Sequence, residues 1–281
     1  MARLTENSYG KSRVRLTKVV RAGATHSLVE LTVQITLGGD FRRVYTHGDN
    51  SPCIPTDTMK NTVYALAKST DFGSAEEFGE TLASHFLESF AHVDWAEVDI
   101  EQVLWARIQV DGTPHPHAFQ KTGPGTRTVF VRGEREGRRL IRGGIAALEI
   151  IKTTRSRFDG FLRDPYTTLQ DTADRILATM VDACWEYSAR PADFNAVFES
   201  ARRAILEAFA AHDSRSVQQT LYAMGEMVLA RVPEINSVSF TMPNQHRLLV
   251  NLQPFGMTNE NEIFVATSEP FGLIKGTVAR E

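Results

Sequence analysis

The sequence predicts an α+β protein built as an internal duplication, and three observations carry that reading. Runs that alternate apolar with polar residues at a period of two give way, twice, to paired runs with a helical period. The order strand, strand, helix, helix, strand, strand occurs once in each half of the 281 residues. Turns bearing glycine and proline punctuate the extended runs, as in antiparallel sheets with helices segregated to one face.

Taken in order, Ser12 to Val20 alternates charged with apolar residues, and after the Gly23 turn His26 to Leu37 does the same through Leu28, Val29, Leu31, Val33 and Ile35. The two make a long hairpin. Gly38-Gly39 and the Gly48 to Pro52 stretch bracket a short strand and a loop. From Thr58 the period is helical, with Met59, Val63, Leu66 and Ala67 on one face and Asp57 as the expected N-cap. Ser74 and Glu77 form a capping box for a second helix whose stripe is Phe78, Leu82, Phe86 and Leu87. Val93 to Ile108 and Thr128 to Arg132 are strands, joined through a turn-rich stretch with His115-Pro116-His117 and Gly123-Pro124-Gly125.

The second half opens on extended runs at Arg139 to Thr153 and Arg175 to Tyr187, although the periodicity from Arg175 to Ala189 also fits a helix. Two helices follow. Asp193 to Ala211 turns Phe194, Val197, Phe198, Ala201 and Ile205 inward, and Val217 to Val232 does so with Leu221, Met224 and Val228. Ser216 caps the latter, with Gln219 as its box partner. Strands at Val238 to Met242, Arg247 to Leu252 and Phe264 to Val278 complete the set, and the two units are expected at 1–136 and 137–281. Open sheet edges need covering, which symmetric assembly of subunits into a closed barrel would accomplish.

The totals exclude several classes. A formal net charge of -3 offers no bulk field for nucleic acid, and no long block of like charge stands out. The polar N-terminus lacks the apolar core of a signal peptide, no run has the length of a membrane span, and the last residues are not a Ser-Lys-Leu address. Only Cys53 and Cys184 are present, without zinc-site spacing, so a reducing, cytoplasmic compartment is expected. His115-Pro116-His117 lacks a third ligand at a convincing spacing, and no metal is expected.

The stretch from Leu148 to Arg175 has the chemistry of a site. Its strand ends in cations and hydroxyls ahead of one aromatic, Phe158, beside Gly160, and Arg175 opens the next apolar run. An aromatic face and a guanidinium fork are what a flat, electron-rich heterocycle requires, one to stack and one to bind its edge. Read alone, the same residues fit a loop phenylalanine folded on the core and an arginine paired with Asp174 or Asp171. At the start of the helix from Val217, free backbone N-H groups and the Gln218 amide suit an anion or an imide edge. Thr56 and Asp57 occupy the corresponding helix start in the first half, and Lys11 follows Tyr9-Gly10 at the mouth of the first hairpin. Asn244 and His246, alternate residues in a polar turn Pro243-Asn244-Gln245-His246, project to one side, where an amide and an imidazole can handle a polar ligand and a proton.

Together these residues resemble the urate oxidase (uricase) family, from Tyr9-Gly10-Lys11 to Gly272-Leu273-Ile274-Lys275. The most specific block is Lys152-Thr153-Thr154, Ser156, Phe158, Phe161, Tyr166, Leu169 and Arg175, which fits the family signature in order and spacing. The resemblance implies tandem tunnelling-fold units assembled as a homotetramer, and oxidation of urate by O2 to 5-hydroxyisourate and hydrogen peroxide without metal or organic cofactor. It also implies roles. Phe158 would stack on the purine, Arg175 and Gln218 would hold opposite edges, and the Val217 main chain would add a contact. Asn244 and Thr56 would bound the oxygen pocket, while Lys11, Thr56 and His246 would relay protons, with Lys11 as base. Thr56 and Asp57 would reach the site from a neighbouring subunit. Two other readings differ in chemistry: a metal-dependent tunnelling-fold hydrolase of purines or pterins, for which the sequence shows no convincing ligand set, and a purine-binding scaffold, which would have no use for the Lys11-Thr56 pair.

Overall fold

The computed structural model describes residues 2–137 and 139–281. The chain divides into two compact units, Met1–Gly144 and Ile145–Glu281. In the first, strands β1 (Tyr9–Ala22), β2 (Thr25–Gly39), β3 (Val93–Val110) and β4 (Thr113–Glu134) lie side by side in chain order and antiparallel. Helices α1 (Arg42–His47), α2 (Thr56–Ser69) and α3 (Ala75–Ser89) occur between β2 and β3.

The period-two pattern explains which face the helices cover. Val33, Ile35 and Leu37 on β2 and Ala96, Val98 and Ile100 on β3 are buried with Met59 and Val63 of α2 and Phe78, Leu82 and Phe86 of α3. Helix α3 approaches the sheet closely enough that a Cβ at Gly79 would lie 2.8 Å from Val131. On the other face of β3 stand Glu97, Asp99 and Glu101, where the Asp99 carboxyl is pushed up by burial and then by the charge of Glu97. The capping box of α3 is present in full, Ser74 accepting from the Glu77 amide and Glu77 accepting in return. One ion pair is fully inside: Arg127 meets Glu76 at 2.6 Å, the side chains 4% and 0% exposed.

Three expectations for this unit are corrected. The short strand expected after Gly39 is helix α1, anchored by Phe41, whose buried ring packs edge-on to Tyr9 at 4.8 Å, and closed by left-handed Gly48. Asp57 is not an N-cap: α2 begins at Thr56 behind Pro55, and the Asp57 carboxylate, in the first turn, holds Lys60 and Asn61 instead. The turn between β3 and β4 is Asp111-Gly112, both at positive φ, whereas His115-Pro116-His117 and Gly123-Pro124-Gly125 belong to strand β4. Register shifts at Val103/Trp105 and Arg107/Gln109 accommodate the chain there.

Strand β5 (Arg139–Lys152) leads into the second unit, where it lies beside β6 (Leu177–Tyr187), then β7 (Ile235–Gln245), then β10 (Gly272–Ala279). Helices α4 (Phe194–Ala211) and α5 (Val217–Arg231) precede β7. The helical alternative for Arg175 to Ala189 fails because Leu177, Thr179, Val181, Ala183 and Trp185 are all buried, a period of two. Asp193 caps α4 through the amides of Asn195 and Ala196. Ser216 caps α5, but Gln219 returns its bond to the Arg215 amide at 3.0 Å, so the expected box is displaced by one residue. The late strands also differ from expectation: β8 (Arg247–Leu249) is shorter and pairs with β9 (Phe264–Ala266) as a separate ribbon apart from β10, while β7 is longer, Pro243 to Gln245 continuing it instead of forming a hairpin turn. Asn244 is thus fixed between Thr179 and Gly272.

The buried pair makes a stability prediction. Arg127→Met strips the guanidinium from a carboxylate with no access to water, and should lower the unfolding free energy by about 3–5 kcal/mol, read from the urea midpoint at unchanged slope.

Candidate active site

Phe158, Arg175 and the start of α5 hang on a segment without regular structure. Main-chain bonds hold it from two sides. On one, the Arg175 amide donates to the Ser156 carbonyl at 2.7 Å, and Phe158 exchanges both main-chain bonds with Thr172, at 2.9 and 3.0 Å. On the other, the Arg157 amide donates to Ser214 at 2.8 Å and the Ser214 amide donates to Arg155 at 2.9 Å. Ser214 stands two residues before the cap of α5, so this pairing ties Phe158 and Arg175 to the helix start that carries Val217 and Gln218. Beneath it, the buried Thr220 hydroxyl donates to Ser214 Oγ at 2.7 Å. Lys152 completes the attachment by donating to the His212 carbonyl at 2.6 Å, and burial lowers the pKa of its amine. Arg155 holds a left-handed φ of 58°, a strain on the order of 1 kcal/mol that the surrounding bonds sustain.

The guanidinium of Arg175 lies over the Phe158 ring, 5.1 Å from Cζ to the ring centroid, and Phe161 stacks on the same ring at 5.0 Å with an interplanar angle of 11°. Neither neighbouring acid takes the arginine. Asp174 accepts from the Thr154 hydroxyl at 2.6 Å and the Ser156 amide at 3.2 Å, and Asp171 engages Gly160 and Arg163. Among the described residues nothing hydrogen-bonds the buried Arg175 Nε, and desolvation lowers the pKa of the guanidinium. A cation buried without a counter-charge is costly, and such a group is a candidate for binding an anion. It lines a cavity of about 500 Å³ with Asn244 and His246. Glu262, Arg247, Leu249 and Phe264 share that cavity. Main-chain bonds from Thr267 to the His246 carbonyl, at 3.1 Å from the amide and 3.2 Å from the hydroxyl, set the end of β7 against the chain beyond β9.

Lys11, Thr56 and Asp57 form a second group, in the first unit. Tyr9 joins them: its hydroxyl accepts from the Ile54 amide at 2.7 Å and donates to the Ile54 carbonyl at 3.1 Å, tying the start of β1 to the residues just before α2. Burial pushes the Tyr9 phenol up. Gly10 lets β1 lie flat on β2, since a Cβ there would sit 1.8 Å from the Ile35 carbonyl oxygen. Lys11 comes near enough to Asp57 that, after the Lys60 contact, its charge helps hold the Asp57 carboxyl below the usual range. Tyr9, Thr154, Asp174 and Arg247 were missed as site residues. Tyr9 and Asp174 act through partners 45 and 20 positions away, which no local pattern marks. Among the described residues no group of three or more His, Cys, Asp or Glu side chains is arranged to hold a metal.

Fold and site together define an α+β protein with a guanidinium set over an aromatic ring beside a polar cavity. A family model described as Uricase matches residues 7–132 and 141–275. The uricase of Arthrobacter globiformis is 44% identical over 278 residues, 99% of this chain and 90% of that protein. That of Oryctolagus cuniculus is 39% identical over 279 residues, 97% and 93% of the two. The crystal structure of the Arthrobacter globiformis uricase superposes with a TM-score of 0.94, covering all of this chain and 96% of the other. The Bacillus fastidious uricase, at 24% identity, shares the fold with a TM-score of 0.86 over 97% and 93% of the chains. The chain belongs to the uricase family.

The Tyr9 tie yields a local prediction. Tyr9→Phe removes the partner of two Ile54 main-chain groups, and should cost about 1–3 kcal/mol and speed hydrogen exchange at the Ile54 amide relative to the β2 amides.

Proposed function

We propose that the protein oxidises urate with molecular oxygen, without metal or organic cofactor, to 5-hydroxyisourate and hydrogen peroxide. The observation that carries this is an arginine with no carboxylate partner, set over an aromatic ring at a cavity with Asn244 and His246, in a chain of this family. The reaction balances as urate, O2 and water going to 5-hydroxyisourate and H2O2. Deprotonated urate supplies both electrons, dioxygen takes them, and hydroxide from water adds at C5. The protein therefore has to bind, orient and ionise a substrate that is its own reductant.

On this reading Phe158 stacks on the purine, a contact of about 1–3 kcal/mol, while Arg175 and Gln218 grip opposite edges and the Val217 amide adds a donor at the helix start. A forked polar site rejects ligands that cannot satisfy it by on the order of 10⁴-fold, so the edges dominate specificity. Asn244 and Thr56 bound the space for oxygen and peroxide, and Lys11, Thr56 and His246 pass protons, Lys11 serving as base. Two tandem tunnelling-fold units, 1–136 and 137–281, and a homotetramer with sites at subunit contacts complete the proposal. The outer strands β1 and β10 support assembly, because an open strand edge calls for a partner. Thr56 and Asp57 then come from a neighbouring subunit. No helix among the described residues is long and apolar enough to cross a membrane, and the two free cysteines suit a reducing, cytoplasmic setting.

Oxygen uptake with urate in chelator-treated buffer tests substrate, oxidant and cofactor independence at once; absence of uptake by a folded, oligomeric sample sinks the reading. Lys11→Met and Thr56→Ala should each lower kcat by about 10²-fold or more with little change in KM, whereas Arg175→Ala should raise KM first. Refolding Thr56→Ala together with Arg175→Ala should regain about a quarter of the wild-type activity if each site draws on two subunits. No recovery on mixing would place every site within one chain.

A further inference from the structure

Asp174 precedes Arg175, and a carboxylate so near in the chain is an obvious partner for the half-buried guanidinium. Here it is not that partner. One of its oxygens accepts from the Thr154 hydroxyl at 2.6 Å and the other from the Ser156 amide at 3.2 Å. The hydroxyl of Thr154 is the first cause holding its carboxyl below the usual range; against desolvation, the amides of Ser156, Arg175 and Arg155 add to it. The charge is therefore absorbed by donors of the Thr154 to Ser156 segment, and no carboxylate among the described residues pairs with Arg175, whose Nε is left without a partner. The same contacts fix where Arg175 starts, because its amide donates to the Ser156 carbonyl at 2.7 Å, two residues from Phe158.

We infer that Asp174, with the Thr154 hydroxyl as its partner, is a positioning residue: it sets the Phe158 ring and the Arg175 guanidinium in register and keeps that guanidinium available to the edge of the substrate. This rests on the reading of Arg175 as the group that grips urate. Two features set it apart from generic loop stabilisation. Both oxygens of the carboxylate point at one segment, the segment that carries the stacking ring, and Asp174 itself lines the cavity beside Arg175. A carboxylate freed from Thr154 would be the nearest competitor for the cation that the substrate anion needs.

The test is a double-mutant cycle on urate-dependent oxygen uptake, with Tm measured alongside. Asp174→Ala should raise KM about tenfold and change kcat by less than about threefold, and Thr154→Val should act in the same direction while Thr154→Ser restores the wild-type value. In an Arg175→Ala background the further loss from Asp174→Ala should shrink below about twofold, because its action passes through the arginine. An equal KM penalty in both backgrounds, or a lowered Tm with KM unchanged in the otherwise intact enzyme, overturns the assignment. Should Asp174→Ala fail to fold, Asp174→Asn and Thr154→Val carry the same cycle with the same criteria. If Arg175→Ala alone leaves KM unchanged, the binding role of Arg175 falls, and the role of Asp174 with it.

Discussion

Phe158, Arg175 and the start of α5 depend on one constraint: a stretch of backbone without a sheet of its own, Thr154 to Phe158, is hydrogen-bonded along both flanks. Ser156 sits at its centre and is almost wholly buried. On one flank lies the approach to β6 and on the other the approach to α5, so the aromatic ring, the guanidinium and the helix start share a single anchor. An irregular segment normally satisfies its main chain with water and moves with it. Here protein groups do so instead, and the side chains it carries inherit their rigidity. The strained φ of Arg155 is the local cost of bending the chain so that both flanks are met.

The two groups of site residues are anchored by different physics. Lys11, Thr56 and Asp57 are gathered by a half-buried tyrosine hydroxyl that both donates to and accepts from one residue. Phe158, Arg175, Val217 and Gln218 are gathered by main-chain ladders and a serine cap. The first arrangement fixes small polar groups, and the second fixes an aromatic face, a guanidinium and a helix start.

Much of this was legible in the sequence, for physical reasons. Period-two and helical patterns survive wherever one face is buried, which is why β2, α3, α4 and β6 stand close to where their apolar residues place them. Phe158 and Arg175 stood out as a ring and a cation behind so many hydroxyls, although a loop phenylalanine folded on the core and an arginine paired with Asp174 or Asp171 fitted the same residues. Two errors share a cause, since each read a residue by its commonest local role. Asp57 is a good cap, yet Pro55 starts the helix earlier and frees the carboxylate for Lys60. Gly123 and Gly125 are turn residues by habit, yet they ride in β4 at positive φ beside a register shift. Asp174 or Asp171 stayed open as the partner of Arg175, and only long-range contacts show both engaged elsewhere. The ribbon of β8 and β9 that helps wall the cavity has strands of three residues, too short for any periodicity to register.

The bare face of β3 carries a further consequence. Glu97, Asp99 and Glu101 repeat at every second residue, with Arg132 meeting only the first of them. A row of like charges cannot be dried by laying an oily layer over it, so that face keeps its water. Asp99 binds its proton more tightly folded than unfolded, so the mutual repulsion weakens as pH falls through its raised pKa. The sheet is thereby committed to water on one side, and the apolar contacts that hold the first unit together must all come from the other.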